Sequence, residues 1–128
     1  MFRNLIAGLG AVALLAFAGA ASAQSQAPAV TSLDDHITCA ALFFSQSKIT
    51  ADAETKEAFE SATALMMERA ETLGARQGVD AEAVLDRTAA IADTIDAALA
   101  REPADRHAGI IWNWGVGLNR CITTALDE

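Results

Sequence analysis

The stretch His36-Ile37-Thr38-Cys39-Ala40-Ala41-Leu42-Phe43-Phe44 carries too many apolar residues for a helix that buries one face, and its cysteine has a single partner to meet, Cys121. A helix of that kind has to be covered on two sides. A bond to residue 121, close to the end of the chain, would make the first and last segments of the domain neighbours. These two constraints together point to a helical assembly closed on itself around one central helix.

The N-terminus says where such a bond would form. Met1-Phe2-Arg3-Asn4 carries one positive charge, Leu5 to Ala21 is apolar and uncharged, and Ala21-Ser22-Ala23 is a small-x-small pattern followed by polar Gln24. This is the layout of a secretory signal peptide cleaved after Ala23. No cysteine stands near the junction, so a lipidated N-terminus is not expected, and the mature protein is expected to be soluble, in the periplasm or secreted. In an oxidising compartment two cysteines pair as one disulfide. The chain has no Cys-x-x-Cys for redox chemistry, no Cys-x-x-Cys-His for covalent haem and no zinc-finger spacing. Closing the loop between residues 39 and 121 is worth at most about 4.5 kcal/mol in the chain-entropy model.

Residues 24–128 form one domain, long enough to bury about 60–70 % of its unfolded surface. Gln24 to Thr31, with Pro28, lacks periodicity and reads as a flexible lead-in of residues 24–31 before a helical domain over 32–128. Ser32-Leu33-Asp34-Asp35 resembles a capping arrangement, so the first helix begins there and runs to about Ser47. At 100° per residue Leu33, Ile37, Ala40, Ala41 and Phe44 share one face, with His36, Cys39 and Phe43 roughly opposite. A second helix starts near Ala51 with Thr50 as N-cap. It buries Thr55, Phe59, Ala62, Thr63, Met66, Ala70 and Leu73, turns its glutamates outward, and ends at Gly74 or Gly78. Asp80 caps a third helix, with Val79 packing on Val84 as a hydrophobic staple and Val84, Thr88, Ile91, Ile95, Ala98 and Leu99 inward, ending near Arg101 before Pro103.

The last segment, Ala104 to Asp127, contains Gly109, Gly115 and Gly117, and Ile110 to Trp114 has the composition of a strand. A lone strand has no partner in this chain, whereas Ile110, Trp114, Leu118, Cys121 and Ala125 fall on one helical face. A single helix distorted around residues 115–117 is therefore expected. Short connections favour antiparallel neighbours, giving an all-α, up-down-up-down four-helix bundle in which Cys39 and Cys121 come level.

No nucleophile stands beside a base, no Glu-x-x-His accompanies the helical glutamates, and Gly115-Val116-Gly117 is not a phosphate loop, so no catalytic residue, enzyme activity or cofactor is expected. His36, Cys39 and Cys121 form a weak metal-site candidate that requires reduced thiols, and the disulfide is preferred. Met66 suits the core better than a haem axial position. Phe43, Trp112, Trp114 and Val116 are the candidate ligand or partner contacts, because two tryptophans on different sides of one helix cannot both enter one seam.

The formal charge of −8 disfavours nucleic acid and anionic membrane as partners. Thr38-Cys39 near the start of the first helix is similar, over those two residues, to the small periplasmic acid-stress chaperones, which are likewise helical with one disulfide; the second cysteine stands much farther along here. The function expected is an exported helical protein acting through protein contacts, as an envelope-stress, chaperone-like or inhibitor module, with an unidentified protein or a second copy of the chain as partner. The alternative is a module holding a small apolar ligand or a metal between the first and last helices, and an enzyme comes third.

Overall fold

The computed structural model describes residues 27–127, and the expected signal peptide and its cleavage site lie outside the described residues. The described chain is helical: α1 (Leu33–Ile49), α2 (Ala53–Arg76), α3 (Ala81–Ala100), a 3-10 turn (Ala104–Arg106), α4 (His107–Asn113) and α5 (Leu118–Leu126). Among the described residues no helix is long and apolar enough to cross a membrane.

Each of the three long helices starts on a side chain that satisfies an otherwise orphaned amide. Ser32 Oγ accepts from Asp35 N at 3.1 Å, Asp52 Oδ2 from Thr55 N at 2.8 Å, and Asp80 Oδ1 from Ala83 N at 2.8 Å. The second cap differs from the expected Thr50. Thr50 instead closes α1, its hydroxyl donating to Gln46 O at 2.6 Å, and Asp52 can cap because a carboxylate accepts from both the hydroxyl and the amide of Thr55. Those two hydrogen bonds, the hydroxyl's first, hold the Asp52 carboxyl below its ordinary pKa.

α1 is the hub. It packs against all four other helices. Cys39, Ala40, Ala41, Leu42 and Phe43 are each at most 1 % exposed. Five consecutive buried residues sweep more than one turn at 100° per residue, so α1 is enclosed at its middle on every side. The main core joins these residues to Phe59, Ala62 and Met66 of α2, Ala92, Ile95 and Leu99 of α3, and Ile111, Leu118, Cys121 and Ala125 of the C-terminal segment. A smaller cluster gathers Leu33, Ile37, Ala70 and Val84, with Val79 packed against it. At the other end Lys48 of α1 pairs with Asp96 of α3 at 2.7 Å.

The face assignment on α1 is corrected at one point. Phe44, expected inside, is 43 % exposed under the Lys48 ammonium, whereas Phe43 is buried against Phe59 with ring centroids 6.1 Å apart. A helix that is apolar all round carries little directional information, so its neighbours decide which phenylalanine is covered.

α2 continues past Gly74 to Arg76. Gly74 is instead the site of a close approach: a Cβ there would lie 2.8 Å from Val79 O, and Val79 N donates to Gly74 O at 2.8 Å as the chain turns back through Gly78. The expected single last helix is two. α4 ends at Asn113, and Gly115 (φ +56°) and Gly117 (φ +89°) carry the chain through a turn before α5. Both glycines occupy backbone conformations that L side chains rarely adopt, so the distortion is a full break and the described residues form five α-helices. The break also re-phases the residues, and Ile111 rather than Ile110 enters the core.

Candidate functional site

The disulfide Cys39–Cys121 forms, with Cα atoms 5.3 Å apart across 82 residues of sequence, and both cysteines are fully buried. It joins the first helix to the last. Its sulfurs are bonded to one another and therefore offer no thiolate to a metal, and among the described residues no group of three or more His, Cys, Asp or Glu side chains is placed to hold one. His36, the third member of that candidate set, is 6 % exposed, with Nδ1 at 2.8 Å from Ser32 O. His107 is near the start of α4, its Nε2 at 2.9 Å from Glu102 O.

Of the candidate contact residues, Phe43 is 1 % exposed and belongs to the core. Trp112, Trp114 and Val116 are each partly buried and pack against that core from outside, as do Ile110 and Ile122. They lie on and around the glycine turn between α4 and α5. Gly117 N donates to Trp114 O at 2.8 Å, and a Cβ on Gly115 would lie 3.0 Å from the methyl of Thr38, the residue before Cys39. The turn carrying the tryptophans is thus pressed onto α1 beside the disulfide. Large rings so placed are held in position by the core on one side and present the remainder to solvent.

A second constellation carries no motif in the sequence. The lead-in, expected to be flexible, is docked from Pro28: Val30 is 4 % exposed in the main core, its amide donates to Thr124 Oγ1 at 2.8 Å, and Arg120 Nε donates to Pro28 O at 2.9 Å. Arg69 of α2 reaches the C-terminal end of α5, donating to Thr124 O at 2.8 Å and Asp127 O at 3.2 Å, where a cation satisfies orphaned carbonyls and complements the helix dipole. Beside this seam runs an open groove of about 490 Å³. Its floor includes Val30, Leu65 and Leu73, and His36, Glu68, Arg69 and Arg76 line it with them. Leu65, Arg69, Leu73 and Arg76 recur at steps of three and four, so one stripe of α2 forms a wall. That spacing was visible, but the opposite wall is residues without periodicity, which no pattern could identify.

No family model, no curated protein and no solved structure matches the chain.

Proposed function

We propose that this is an exported protein whose mature form acts by binding another protein through the corner made by Trp112, Trp114 and Val116. The observation that supports this reading is that two half-buried tryptophans, Trp112 in the last turn of α4 and Trp114 at its C-cap, adjoin a glycine turn tied to the hub helix. Tryptophan dominates interface energetics because it buries a large ring at little entropy cost, and an anchor already held by packing loses still less freedom on binding. In this reading the disulfide serves the corner: it fastens α5, and with it the turn, to α1. Residues 1–23 act as a signal peptide and deliver the chain to the periplasm or the exterior, where a disulfide persists. The helices form an up-down-up-down bundle with α4 and α5 sharing the fourth place, a reading supported by Leu33 and Ile37 clustering with Ala70 and Val84 while Lys48 pairs with Asp96. An envelope-stress, chaperone-like or inhibitor role would all use such a surface, and a second copy of the chain is one partner it would fit.

A photo-cross-linking residue introduced at Val116, with the same residue at exposed Leu85 as control, tests this in the native envelope. Cross-links to a discrete protein, or to a second copy, from position 116 and not from position 85 are the expected result. Equal yields from the two positions, or none from 116, would sink the reading.

A further inference from the structure

We propose that the groove between α2 and the docked lead-in binds a small amphiphilic carboxylic acid, one acid group on a short apolar body. The site shares no residue with the tryptophan corner and stands or falls independently of it.

The polar end is specified by a histidine and two arginines. His36 is more than nine-tenths buried and lines the groove. Its Nδ1 lies 2.8 Å from Ser32 O, and because a carbonyl only accepts, Nδ1 carries the proton. The second ring nitrogen has no hydrogen bond among the described residues and is not one of the fully buried atoms, so it is reachable from the groove that His36 lines. A nitrogen so placed fits the oxygen of an acid: with one proton between them the acid's O–H donates to the ring nitrogen, and the pair neither gains nor loses a proton. Arg69 and Arg76 outnumber Glu68, which makes the groove locally cationic on a chain of net charge −8. That contrast favours an anion here against the repulsion of the rest of the surface. Arg69 is held by two hydrogen bonds, from Nη1 to Thr124 O and from Nη2 to Asp127 O, and supplies charge from a fixed position, while exposed Arg76 on the last turn of α2 is the residue able to grip a carboxylate with two parallel N–H groups.

The apolar end is specified by Val30, Leu65 and Leu73. The α2 wall from Leu65 to Arg76 spans about 16 Å at 1.5 Å per residue, which suits a short chain or a single ring and not a long lipid.

The test uses the oxidised mature protein. Octanoate is titrated while the ring signals of His36 and the methyl signals of Leu65 and Leu73 are followed by NMR, with 1-octanol as the body without charge and acetate as the charge without body. Octanoate is expected to shift all three sets of signals together, and 1-octanol and acetate to bind at least about ten-fold more weakly, the equivalent of one charge-assisted contact. Arg76→Gln, an exposed change that leaves the fold intact, is expected to weaken octanoate by a similar factor, and Arg101→Gln, outside the groove, to leave it unchanged. Failure of millimolar octanoate to move the groove signals, equal binding of 1-octanol, or wild-type affinity in R76Q would each overturn the proposal. A tetrapeptide ending Leu-Leu with a free C-terminus distinguishes the source of the carboxylate: tighter binding of the peptide than of octanoate would overturn the assignment to a free acid.

Discussion

The first three helices and the last two are held by different means. α1, α2 and α3 run 17, 24 and 20 residues, and each begins on a side-chain cap. α4 and α5 run 7 and 9 residues, neither has a side-chain cap, and a turn with two positive-φ glycines separates them. Helices that short are not stable alone in water. The C-terminal segment is instead fastened from outside, by Cys39 through the disulfide, by Arg69 at the end of α5, and by the lead-in through Val30 and Pro28. One half of the protein is stabilised by its local sequence, and the other by what it is attached to.

Removing the attachment should therefore have the largest effect. Cys39→Ala with Cys121→Ala is expected to cost about 2–5 kcal/mol, and hydrogen exchange should accelerate in residues 107–126 before it does in α2. Uniform acceleration over the whole chain would mean that the two halves unfold as one. Next, Gly117→Ala places a side chain at φ +89° and should lose about 1–3 kcal/mol, seen as a lower urea midpoint. An unchanged midpoint would show that the turn relaxes without strain.

A smaller effect, of opposite sign, belongs to the first half. Ser45 Oγ is buried with no hydrogen-bond partner among the described residues, so Ser45→Ala should be neutral or stabilise by about 1 kcal/mol in thermal melting. A clear loss would mean that the hydroxyl is satisfied. The smallest effect concerns Asp52. Its pKa is lowered in the folded chain by the Thr55 hydrogen bonds, so its contribution is present above the ordinary carboxylate value and is lost as pH falls through the folded one. The stability difference between wild type and Asp52→Ala should accordingly be greatest near neutral pH and shrink in acid, and a difference that is constant across that range would remove the cap's ionic component.

The split between the halves also decided how much could be read in advance. The stripe Phe59, Ala62, Met66, Ala70 on α2 and the Asp80 cap of α3 follow from 3.6-residue periodicity and from chemistry within three positions in the sequence, and both stand in the structure. The exposure of Phe44 could not be read because α1 is apolar in every direction. The docking of Val30 could not be read because its partners, Thr124 and the main core, are remote: Val30 N and Thr124 Oγ1 are 94 residues apart in sequence. For the same reason the tryptophan corner was partly legible, its rings being conspicuous by type, whereas the groove was not, since it exists only where α2 and the lead-in meet.

By itself, then, the sequence determined the helical class, the long helices with most of their boundaries, and the pairing of two cysteines that had no other partner. These rest on residues a few positions apart or on a choice of one. Tertiary structure alone decided that the last helix breaks in two, that the non-periodic lead-in becomes a wall, and that Phe43 rather than Phe44 lies inside. Each of those outcomes depends on which surface arrives from a distant part of the chain, and α1, enclosed at its middle on every side, is where nearly all of those surfaces meet.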